Sequence, residues 1–98
     1  VDAAVMKEQA FRVSFPLKLH DGTEHDVEGE AVMVWREWAD EEGVLAGLDQ
    51  VTLTSAEVDG VALNDEQLRR FQDLYRPLYI EALEWMALSM MQGSGAAR

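Results

Sequence analysis

His20, Asp21, Glu24, His25 and Asp26 crowd one short stretch of the chain, and these are residue types that ligate divalent metals. Their spacing works against a shared ion. In an extended strand Thr23 and His25 share one face, Glu24 and Asp26 share the other, and His20 falls in the preceding turn, so convergence would break the hairpin. The ordinary reading is one turn histidine and one histidine at the rim of a sheet. Ser14, Ser55 and Ser89 have no neighbouring base in sequence, and there is no Gly-x-Ser-x-Gly elbow, phosphate loop or dinucleotide fingerprint. Adjacent acids such as Asp40 and Glu41 perform acid–base chemistry only in a cleft that perturbs their pKa values. No metal, cofactor or catalytic role is expected.

A different property is visible in Glu24, Asp26, Glu28 and Glu30, which alternate along one strand and so project from one face. Alternate strand residues stand about 6.7 Å apart. Such a row of anions imitates a nucleic-acid backbone and suits a basic site on a nucleic-acid-binding protein. The competing reading is a solvated face, in which Lys18 lies opposite Glu24 and Arg12 opposite Glu30. The run Asp40-Glu41-Glu42 adds further acidity. Three apolar residues stand apart from the expected core: Trp38, Trp85 and Leu88. Trp85 and Leu88 form an apolar island among Glu81, Glu84 and Gln92, either covered by the segment 36–50 or open to a partner or a second copy. Trp35 has inward parity and belongs to the core, whereas Trp38 either caps the core or serves an interface.

These residues sit in a chain of 98 residues, enough for one domain, with 48% hydrophobic and 28% charged residues. A domain of this size is marginally stable unless a partner or second copy helps. Nineteen acidic against 8 basic residues give a formal net charge of −11, which argues against direct binding to nucleic acid or anionic membrane. The absence of cysteine removes disulfides and thiolate chemistry and is compatible with a reducing compartment. The most apolar stretch, Leu78–Met91, carries Glu81 and Glu84, so no membrane span is expected. Val1–Gln9 lack a basic region followed by an apolar core, which makes the cytoplasm the expected compartment.

Phe11, Val13, Phe15, Leu17 and Leu19 alternate with polar residues in a first strand, and Pro16 places it at a sheet edge. A second strand runs from Thr23 to Trp35. Parity favours a three-residue loop, His20-Asp21-Gly22, with Gly22 left-handed, which pairs Leu19 with Thr23, Leu17 with His25, Phe15 with Val27, Val13 with Gly29 and Phe11 with Ala31. The segment 36–50 reads as an acidic, glycine-punctuated loop containing a short helical turn. Val51–Thr54 is a third strand with a bulge near Ser55, followed by an Asp59-Gly60 turn. Asn64 caps a helix starting at Asp65, with Gln67 at its third position. Leu68, Phe71, Leu74 and Tyr75 form its first apolar stripe. Pro77 kinks or restarts it, and Tyr79, Ala82, Leu83, Met86, Ala87 and Met90 face the core until Gly93 ends it.

The expected fold is α+β: a small antiparallel sheet of three or four strands with an N-terminal β-hairpin, covered on one face by a kinked C-terminal helix. One domain spans 1–92, and 93–98 form a small-residue tail. The layout resembles that of small phage or prophage accessory proteins and toxin-neutralising partners, a likeness of layout alone. The expected function is protein binding without catalysis, by a phage-type or immunity-type inhibitor or adaptor. It docks on a basic surface through the acidic residues, with Trp38, Trp85 and Leu88 supplying apolar contact. The alternative is a homo-oligomeric structural or assembly subunit, such as a homodimer associating through the C-terminal helix.

Overall fold

Alternating apolar and polar residues build the first two strands of the computed structural model, which describes residues 5–40 and 43–93. β1 (Val5–Lys18), β2 (Glu24–Asp40), β3 (Gly43–Val58) and β4 (Val61–Ala62) form one antiparallel meander in the order β1-β2-β3-β4. A single helix, α1 (Asp65–Gly93), covers one face. The fold is therefore α+β, with four strands and one helix among the described residues.

The β1–β2 register follows parity throughout: Leu17 faces His25, Phe15 faces Val27, Val13 faces Gly29 and Phe11 faces Ala31. Leu19 N donates to Thr23 O (2.8 Å), Gly22 N donates to Leu19 O (3.0 Å), and Gly22 has a φ of 90°, the three-residue loop expected. Because Leu19 bonds across to β2, the odd residues of β1 do likewise, and the even residues point their amides to the open edge. Pro16 occupies one of those even positions, so its missing N–H removes nothing from the ladder.

β3 contains two register shifts. At the first, Thr54 is the extra residue between Ser55 and Leu53, and its hydroxyl donates to the Glu30 carbonyl (3.1 Å). At the second, Asp49 is extra between Gln50 and Leu48, and Arg36 Nη2 donates to its carboxylate (2.9 Å). Each shift flips side-chain parity, so Leu48, Val51, Leu53 and Ala56 all reach the helix-covered face.

Residues 36–40 and 43–50 are thus strand, not the loop with a helical turn expected of 36–50. β2 continues to Asp40 and β3 begins at Gly43, so that Trp38 faces Leu45 and Arg36 faces Gly47. Sheet pairing there satisfies the backbone in spite of the glycines and acids. The buried core stops near Phe11, Met33 and Val51, with Trp35 and Leu48 packed on its end. The strands beyond project as a three-stranded arm, and the molecule measures 50 × 22 × 20 Å.

Asn64 and Gln67 bond reciprocally, Asn64 N to Gln67 Oε1 (2.9 Å) and Gln67 N to Asn64 Oδ1 (2.8 Å), closing the capping box at the start of α1. The helix does not restart at Pro77 but runs continuously through it. Pro77 and Asp73 are both exposed, so water can take the carbonyl bond that the proline amide cannot make. Phe71, Tyr79, Leu83 and Ala87 are buried, with Tyr79 5.6 Å from the rings of both Phe15 and Phe71. Burial pushes the Tyr79 phenol up, against a smaller lowering by Arg76. Two expected core residues lie elsewhere. Leu74 is 65% exposed because it falls on the side of α1 away from the sheet, and Met90 is 38% exposed beside the β1 edge. Gly93 closes α1, while the rest of the expected tail, 94–98, lies outside the described residues.

Candidate functional site

The even positions of β2 read Glu24, Asp26, Glu28, Glu30, Val32, Val34, Arg36 and Trp38, all on the sheet face opposite α1. The face is therefore acidic at one end and apolar at the other. All four ladder acids are exposed. Glu24 lies opposite Lys18 and Glu30 opposite Arg12, as parity requires, yet neither couple closes an ion pair. Basic side chains go elsewhere: Lys7 to Glu37 (3.1 Å), Arg36 to Asp49 (2.9 Å) and Arg70 to Glu66 (3.1 Å).

Glu28 stands between Ser14 on β1 and Glu57 on β3, so two carboxylates oppose each other directly across the ladder. Sequence reading overlooked Glu57. The signal was present, since a bulge before Ala56 sends Ala56 and Val58 inward and Glu57 outward. Asp40 ends β2 at the opposite end of the strand from Glu24, and Glu41 and Glu42 lie outside the described residues. The structure does not bring that end of the acidic run to the ladder.

Trp38 does not cap the core. It lies three positions along β2 from Trp35, an odd step, so the two indoles take opposite faces. Trp35 packs on the core and its Nε1 donates to Glu37 Oε2 (2.7 Å). This bond, followed by the Lys7 ammonium, holds the Glu37 carboxyl below the usual range. Trp38, 38% exposed, lies over Gly47, where an added Cβ would stand 3.5 Å from its ring. Exposed Leu45 and Met6 and half-buried Val32 and Val34 share this face.

Trp85 (72% exposed) and Leu88 are on α1, on the far side of the sheet from the ladder. Residues 36–40 and 43–50 do not cover them, because they belong to β2 and β3. Ladder and helix island therefore cannot form one contiguous contact. Leu74 and Leu78 extend the island along the outward side of the helix. Trp85, Met86, Ser89 and Met90 also line a groove of about 540 Å³ against Gln9, Phe11 and Arg12 of β1.

At the β1–β2 turn, Thr23 Oγ1 donates to Asp21 Oδ1 (2.6 Å), His25 Nε2 lies 3.2 Å from Thr23 Oγ1, and His25 Nδ1 lies 2.6 Å from Asp59 Oδ2. Asp59 Oδ1 accepts from Asp26 N (2.9 Å). Hydroxyl, imidazole and carboxylate thus follow one another as in a nucleophile–base–orienter series. The hydroxyl proton, however, is engaged by Asp21, and neither the groove beside Trp85 nor the cleft beside Gln72 includes these residues. The string acts as a clasp between two turns. Its hydrogen bonds lower both acids: Thr23 chiefly lowers Asp21, and His25 chiefly lowers Asp59. His20 is exposed, and among the described residues no group of three His, Asp or Glu is gathered to hold a metal.

Among the described residues no helix is long and apolar enough to cross a membrane. The chain gives no significant match to a family model, a curated protein or a solved structure. A functional reading therefore rests on the chain's own surfaces.

Proposed function

We propose that the protein is a non-enzymatic protein-binding module, an inhibitor or adaptor that docks the helix-free face of its sheet on a basic surface of a partner protein. The observation that carries this reading is the direct opposition of Glu28 and Glu57 within a ladder that closes no ion pair. Like charges facing each other across strands destabilise a sheet, by roughly 0.2–1 kcal/mol. The fold gains nothing from them, whereas a basic partner turns the repulsion into attraction. On the same face Met6, Val34, Trp38 and Leu45 offer apolar contact, so charge steers the encounter and the indole holds it. A net charge of −11 opposes binding to nucleic acid itself, which favours a protein partner of the nucleic-acid-binding kind.

The test is affinity capture from lysate of the source cell at low and then high salt, with bound proteins identified by mass spectrometry. Reversing Asp26→Lys and Glu28→Lys together is expected to reduce recovery of the partner and flatten its salt dependence, while the melting temperature stays level or rises. Undiminished recovery removes the sheet face from the reading.

A second reading, a homo-oligomeric assembly subunit associating through α1, is favoured by the uncovered Leu74, Leu78, Trp85 and Leu88. It predicts a dimer in light scattering that is lost on combining Trp85→Ala with Leu88→Ala.

A further inference from the structure

The open edge of β1 differs in charge from the rest of the molecule. Along Val5–Lys18 three bases, Lys7, Arg12 and Lys18, accompany a single acid, Glu8, in a chain of net charge −11. From Met6 to Ser14 the even residues direct their amides and carbonyls away from β2, and no proline interrupts this stretch. Beside it lies the apolar groove formed by Phe11, Trp85, Met86 and Met90.

We propose that a second copy of this chain occupies this edge, β1 against β1 antiparallel about a two-fold axis at Ala10, so that two four-stranded sheets become one continuous sheet. The charges select this register. With Ala10 facing its own copy, Glu8 meets Arg12 of the partner subunit twice, on the outer face. Sliding by one pleat in either direction instead sets Glu8 against Ala10 or Ser14 and leaves the charges unmatched. The groove selects the same point independently, because its β1 residues Gln9, Phe11 and Arg12 straddle Ala10. Two grooves meet at the axis, and Phe11 of one copy lies opposite Gln9 of the other. The inference does not rest on the outer-face docking reading, since the ladder on β2 stays open in such a dimer.

The full chain is tested by sedimentation equilibrium over a range of concentrations, where the mass is expected to rise towards twice 11.0 kDa. Ala10→Pro removes one edge amide that β2 does not use, so it should yield monomer with an unchanged circular dichroism spectrum. Glu8→Arg and Arg12→Glu should each weaken the dimer at least tenfold, and the two combined should restore it. A mass of one chain at every concentration overturns the proposal. So does a dimer that persists in Ala10→Pro, or a combined charge swap that folds but stays monomeric.

Discussion

Gly29 on β2 lies so close to Ser55 on β3 that a Cβ at position 29 would stand 2.0 Å from the Ser55 carbonyl oxygen. The contact comes from the bulge at Thr54, which draws the β3 backbone across β2. Since the obstacle is backbone and not a side chain that can rotate away, Gly29→Ala should destabilise the fold by about 3 kcal/mol. Urea denaturation measures this directly. A loss below about 0.5 kcal/mol, the range of ordinary surface substitutions, would mean that β3 can shift at no cost.

Glu57→Lys replaces a like-charge opposition by an opposite-charge one across from Glu28. Stability should rise by about 0.2–1 kcal/mol at low ionic strength, and the gain should shrink as salt is added. Thermal melts of parent and variant at two salt concentrations check both parts. A gain independent of salt would assign the effect to packing.

The Asp21 and Asp59 carboxyls lie below their ordinary value of 3.8 in the folded chain. A depressed folded pKa means that the stabilisation is fully present above the unfolded value and is lost as pH falls through the folded one. The contribution of these two carboxylates is therefore lost in acid, as pH falls below about 4. Asp59→Asn should reduce stability at neutral pH and flatten the acid limb of melting temperature against pH. An acid limb parallel to the parent's would show that Asp59 takes no part in it.

Leu83 and Trp85 are two residues apart on α1 and differ in surroundings, one fully buried beneath the helix and the other largely in solvent. Leu83→Ala should cost about 2–5 kcal/mol. Trp85→Ala, measured on dilute protein, should change stability by no more than about 0.5 kcal/mol. A large Trp85 effect that fades on dilution would instead report a second chain covering it.

The β1–β2 register, the bulge before Ala56, the Asp59-Gly60 turn and the Asn64 cap were legible in the sequence, because each depends on local parity or on the backbone chemistry of a few residues. The arm was not. Gly43, Gly47 and the neighbouring acids look like loop chemistry, and the second bulge, at Asp49, breaks the alternation that Leu48, Val51 and Leu53 would otherwise show. Helical periodicity places Met90 on the core side but carries no information about where the sheet beneath it ends. The same limit hides the site: Asp26, Glu28 and His25 are visible as a pattern on β2, while their β3-side neighbours Glu57 and Asp59 follow only from the long-range pairing of β2 with β3.

The arm beyond Phe11, Trp35 and Leu48 has strand pairing without a helix beneath it, and this grades the molecule in time as well as in space. Amides held by backbone bonds alone exchange with solvent through local opening, whereas those above a packed core exchange when the whole domain unfolds. Deuterium should therefore enter Lys7 and Glu37 long before Val13 and Val27, so that exchange advances along the 50 Å axis from the arm towards the Asp21 turn.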